Sequence, residues 1–183
     1  MKKILLLMFV LSAMAGNIQA QETKEPTKEE KKALQERLDS LQYEEALKAV
    51  NAKEFTLEAD QVVFKYGQTA YVSSNTNFVS VMGEDAVVQV AFNIPFSGPN
   101  GLGGVTVDGT VSGYDPKVDK KGNLSLSMNV MGAGISARID IYLPKGSNRA
   151  SITISPNFNS NRLTLNGVIL PASRSNVFKG RSI

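Results

Sequence analysis

The chemistry open to this chain is bounded first by what it lacks: its 183 residues contain no histidine and no cysteine. Ser-His-Asp and Cys-His catalysis need an imidazole base that titrates near neutral pH, so both are excluded. Histidine- and thiolate-based zinc and non-haem iron sites fall for want of ligands. Carboxylates remain. Glu54, Glu58, Asp60, Glu84, Asp85, Asp108, Asp115, Asp119 and Asp140 lie in the β-patterned part of the chain. Two of them could serve as acid and base if one were buried. Most fall in turns or on the polar side of a strand, where a solvated charge is the ordinary reading, so no catalytic residue is assigned. Asp115 and Asp119 flank a turn without the Asp/Asn/Gly spacing of a calcium loop, and no metal site or cofactor is expected.

Ligand contact leaves weaker marks. Ser97 to Gly104 reads Ser-Gly-Pro-Asn-Gly-Leu-Gly-Gly and invites a phosphate-loop reading. No Lys-Ser/Thr follows, however, and the next residues alternate as a strand instead of opening a helix whose N-terminus could hold an anion. A connection at the mouth of a barrel fits better. Asn157, Asn159 and Asn161 with Arg162 suit a turn, and also a polar ligand contact. Aromatics are few and tryptophan is absent, which weakens a sugar-stacking platform. Core packing explains each aromatic by itself. The residues singled out for ligand contact are Phe92, Phe96, Tyr114, Asn161 and Arg162.

The elements that must position these residues are mostly strands. From Phe55 onward apolar residues recur with a period of two: Phe55-Leu57-Ala59, Val88 to Ile94, Val105 to Gly113, Leu124 to Val130, Ile135 to Leu143, Ala150 to Ile154 and Leu163 to Ile169. Alternating side chains point to opposite faces of a strand, so each run has one face to bury. Such alternation favours antiparallel pairing. Turn residues at 119–123, 132–134, 144–148 and 156–161 divide the runs into four successive hairpins. Shorter strands are expected around Val62–Phe64 and Thr69–Val72. The fold class is therefore mainly β: an antiparallel up-and-down meander forming a small barrel or strongly curved sheet, with an N-terminal α-helix. A sandwich and a helix-covered sheet remain open. Gly109, Gly113 and Gly167 suit sharp bends.

The first twenty residues have the form of a secretory signal, with Lys2 and Lys3 followed by an apolar run from Ile4 to Leu11 and small residues up to Ala20. The run is too short to span roughly 30 Å of hydrocarbon, so a cleaved leader is expected, and with it a periplasmic or secreted protein without a membrane span. Without cysteine in the sequence, neither a disulfide nor a lipidated-cysteine anchor is expected. Twenty Lys and Arg against seventeen Asp and Glu give +3, and a leader that takes Lys2 and Lys3 with it leaves +1. That balance offers no electrostatic reason to seek nucleic acid. Residues 21–52 form a charged helical segment, with Thr27 and Glu30 at capping-box spacing and Leu34, Leu38, Leu41, Leu47 and Val50 as an apolar stripe expected to pack on the domain. The β domain covers 53–170, and the polar tail 171–183 is expected to fray.

The order of these features resembles a family known as domain of unknown function 4251, secreted proteins of Bacteroidota. The resemblance runs from about Glu44 to Ile169 and rests on Ala46-Leu47 to Phe55-Thr56-Leu57-Glu58-Ala59-Asp60, Asn77-Phe78-Val79-Ser80-Val81, the Gly-rich 95–104 ahead of Val107-Asp108-Gly109, and Asn159-Ser160-Asn161-Arg162 to Gly167. It implies an exported β-rich domain and supplies no catalytic residue. The same lineage makes Asp39-Ser40-Leu41 a candidate O-glycosylation acceptor, with a glycan pointing outward from Ser40. The leading functional expectation is a non-enzymatic binding module for a small apolar or amphipathic ligand or a cell-envelope partner. The alternatives are an envelope interaction protein that uses its helix and a carboxylate-based glycan hydrolase.

Overall fold

The computed structural model describes residues 27–91, 104–133, 135–157 and 162–182. By its contacts the chain divides into Met1–Ala33 and Leu34–Ile183. In the first unit the described residues open helix α1 (Lys28–Ala52). The Glu30 amide donates to Thr27 Oγ1 at 3.2 Å and the Thr27 amide to the Glu30 carboxylate at 2.8 Å, the reciprocal satisfaction of a capping box.

The second unit holds the rest of α1 and nine strands: β1 (Glu54–Phe64), β2 (Thr69–Tyr71), β3 (Phe78–Met82), β4 (Asp85–Ala91), β5 (Gly104–Val118), β6 (Leu124–Gly132), β7 (Ile135–Leu143), β8 (Arg149–Pro156) and β9 (Leu163–Pro171). From β3 to β9 each strand pairs antiparallel with the next. β1 closes the ring. Its residues 54–58 pair with β3 on one edge, and its other edge pairs with β9 from Phe55↔Pro171 to Phe64↔Leu163. β2 extends the β3 edge against Gln61–Val63. The result is an eight-stranded closed barrel, as the alternation and local hairpins predict. Its interior is apolar and its outer face carries Glu58, Asp60, Asp108, Arg138, Asp140 and Arg149. Among the described residues no helix is long and apolar enough to cross a membrane.

α1 seals one end of the barrel. Tyr43, Ala46, Ala49 and Val50 are buried in the barrel core. The Tyr43 hydroxyl donates to the Gly122 carbonyl in the β5–β6 turn. This differs from the expected stripe: Leu34, Leu38 and Leu41 are exposed, and Leu47 is half-buried. The buried face begins at Tyr43, where the helix nears its junction with β1, and Leu34 to Leu41 fall outside it. The helix ends where Lys53 adopts a left-handed backbone (φ 56°) and its amide donates to the Val50 carbonyl at 3.0 Å.

The tail does not fray. After a 3-10 turn at Ala172–Arg174 it runs along the outside of the barrel as a strap. Ser175 Oγ and the Asn176 amide donate to Glu58 at 2.8 and 3.1 Å. Gln89, fully buried, donates through Nε2 to the carbonyls of Thr76 and Phe178, and accepts through Oε1 from Thr106 Oγ1 and the Gly180 amide. Its amide is thus satisfied on every side, as burial requires. Lys179 Nζ and Ser182 Oγ close the strap on Asp108 at 2.6 and 2.8 Å. The hydrogen bond from Lys179, helped by that from Ser182 and opposed by partial burial, holds the Asp108 carboxyl below the usual range. A lowered native value contributes stability above the unfolded value of about 3.9 and loses it as pH falls through the native one. Amide-exchange protection at Phe178 and Gly180 should therefore drop as pH falls from about 5 to about 2, and Asp108→Asn should lower it already at pH 5. Equal protection in Asp108→Asn and wild type would show that this contact does not hold the strap.

Candidate functional site

Inward positions change size along the barrel. Toward the helix-sealed end they are Phe55, Leu57, Leu126, Ile141, Ile152 and Leu165, each no more than 2% exposed. Toward the other end the inward residues of β4, β5 and β6 are valines and that of β7 is Ala137, while β1, β8 and β9 contribute Phe64, Ile154 and Leu163. A barrel of eight strands is just wide enough for large side chains to fill it. Where the inward residues of four neighbouring strands are valine and alanine, space is left among the described side chains.

The space left is a cavity of about 700 Å³, within the usual range of small-molecule sites. Val88 and Val90 face it from β4, Val105 and Val107 from β5, and Ile154 from β8. Two register pairs, Val88↔Val107 and Val90↔Val105, form one wall. Phe64 and Leu163, themselves cross-strand partners, stand at the rim. Beyond them come Lys65, Tyr66 and Gln68 from the β1–β2 turn and Arg162 just ahead of β9. The Lys65 ammonium lies 5.3 Å from the centre of the Tyr66 ring. No carboxylate lines the cavity among the described residues.

Residues 37–169 match the family described as domain of unknown function DUF4251. The chain belongs to that family. The match begins ahead of the Ala46-Leu47 motif that carries the sequence resemblance and ends at the same Ile169. A crystal structure of a DUF4251 family protein from Bacteroides eggerthii DSM 20697 is 53% identical, with a TM-score of 0.69 over 81% of this chain and 99% of that one. Among curated proteins no match was found.

The DUF4251 barrel brings one described ligand-contact candidate, Arg162, to the cavity. Phe92, Phe96 and Asn161 lie outside the described residues, as does most of the Gly-rich segment 97–104. Tyr114 sits elsewhere, in a bulge of β5 that follows Gly113, whose φ of 62° favours glycine. Its hydroxyl donates to the Val50 carbonyl at the end of α1, its ring lies 5.1 Å from the Lys53 ammonium, and burial pushes its pKa up. Asn157 is engaged in turn contacts, its amide and Nδ2 donating to Ser136 at 2.9 and 2.7 Å. Ser40 is exposed on the helix. The valines of the cavity wall carry the site but read in sequence as ordinary strand interior; their small size was the available signal.

Asp60, Asp115, Asp119 and Asp140 serve turns and ion pairs. Asp119 accepts from the amides of Lys121 and Asn123 and from Asn123 Nδ2, which lowers its pKa. Asp140 is lowered by Arg138 first and Ser127 further. Asp60 takes both guanidinium nitrogens of Arg149 at 3.0 and 2.9 Å. A general acid at neutral pH needs the opposite shift. For Tyr114, replacement by Phe should cost about 1 kcal/mol in urea unfolding, since the Val50 carbonyl keeps its bond from Lys53. An unchanged midpoint would show that this bond does not dock the helix.

Proposed function

We propose that this DUF4251 protein is an exported, non-enzymatic binding module whose barrel takes up a small apolar or amphipathic ligand. One observation carries the reading: a valine-walled cavity lies toward the end of the barrel opposite α1. Apolar walls give affinity through burial, and rim groups such as Arg162 and Gln68 orient the ligand. Each methylene moved from water into such a space contributes about 0.8 kcal/mol, or roughly fourfold in affinity. Straight-chain alkanols, which carry no charge, test this. Calorimetric affinity should rise roughly fourfold per added carbon from hexanol to octanol, and Val105→Trp, which fills the cavity from its wall, should abolish binding while the barrel stays folded by circular dichroism. Absence of alkanol binding, or full binding by the folded variant, would overturn the reading.

Export rests on the charged-then-apolar leader ending at Ala20, and modification on Asp39-Ser40-Leu41. The exposed position of Ser40 on α1 supports access by a modifying enzyme. The intact mass of protein recovered from its native host should correspond to a chain beginning at Gln21 with added glycan. A mass that retains the leader contradicts export, and a bare polypeptide mass removes the glycan.

A further inference from the structure

The rim has a sign. Phe64↔Leu163 is the last pair of the β1–β9 ladder at the end opposite α1, and the residues one step beyond it on the two strands are Lys65 and Arg162. Both residues line the cavity, so each brings a cationic side chain to the end where apolar wall gives way to solvent. Acids abound elsewhere on the barrel, yet none is among the described lining residues. An electrostatically one-sided opening above an apolar interior selects for charge at one end of its occupant. Guanidinium and ammonium groups differ in shape but share a preference for anionic oxygen, and Arg162 can meet a carboxylate through two parallel hydrogen bonds.

The dimensions limit the other end of the occupant. Strands rise about 3.3 Å per residue, so the wall from Gly104 to Val107 is about 10 Å deep. That depth suits one extended chain of moderate length and is too short for a long acyl chain to be buried whole.

We propose that the ligand is a single-chain anionic amphiphile, its chain among Val88, Val90, Val105 and Val107 and its carboxylate against Lys65 and Arg162. This rests on the binding reading above and adds the charge of the ligand's head. Valines on facing strands grip a chain without directional demands, whereas the two cations fix which end stays at the mouth.

The experiment compares three probes of equal chain length, decanoate, decan-1-ol and decyltrimethylammonium, on the intact protein and on a Lys65→Glu/Arg162→Glu variant. Both substitutions lie at the rim, outside the packed core, so the barrel should remain folded. In the wild type decanoate should bind more tightly than decyltrimethylammonium, and added salt should narrow the gap. The double charge reversal should weaken decanoate roughly tenfold, strengthen the cation, and leave decanol within about twofold. Equal decanoate affinity in wild type and variant, with decanol bound by both, overturns the anionic headgroup while the binding reading stands. No binding of any probe overturns both. A preference for the cationic probe in the wild type overturns the inference by inverting its sign.

Discussion

Closure between the first strand and the last is the constraint on which the structure depends. β1 and β9 are joined over nearly their whole length, and the ladder shifts register by one residue at Asp60. At the middle of that joint the backbones are so close that a Cβ on Gly167 would lie 2.0 Å from the Glu58 carbonyl oxygen. Only glycine permits this approach. Because the sheet has no free edge along that joint, its interior can be reached from the ends alone. Residue size then decides what each end does. Leucine, isoleucine and phenylalanine fill the space next to α1, while valine and alanine leave space toward the opposite end.

The same economy explains the helix and the tail. A barrel this small exposes core at its ends, and α1 covers one of them with Tyr43, Ala46, Ala49 and Val50. Two tyrosine hydroxyls, Tyr43 to the β5–β6 turn and Tyr114 to the helix end, fix that lid from both sides. The tail covers an outer patch around buried Gln89, meeting its side chain through the Phe178 carbonyl and the Gly180 amide. α1 thus covers one end of the barrel and the tail one flank, and the valine-walled cavity lies toward the end opposite α1.

Much of this was legible in sequence because alternation with period two reports a one-faced strand directly. β5 to β9 follow from it, and the capping box at Thr27 and Glu30 was legible from spacing. β3 was harder. Phe78 and Val79 are both buried, on opposite faces, since the outer face there lies beside buried Gln89; alternation vanishes where both faces are covered. The strap was missed for a related reason: a polar, Ser/Arg-rich tail looks solvated unless its partners are known, and Gln89 and Asp108 are far away in sequence. The helix stripe misled because the period of leucines describes a face without saying what covers it. For the site, Arg162 was visible as a cation beside a turn, and Lys65 and the valines were not, because nothing local separates a valine that lines a cavity from one that packs a core.

If the valine-walled cavity takes up a ligand, the chain of an amphiphile must lie inside the barrel among Val88, Val107 and Ile154. Crystals grown with a decanoate carrying bromine at the chain terminus would test this most directly, through the anomalous signal of the bromine. The account predicts a single peak deep in the mouth among Val88, Val107 and Ile154, with the carboxylate at the rim. A mouth packed by the protein's own side chains, with no bromine inside the barrel, would contradict it.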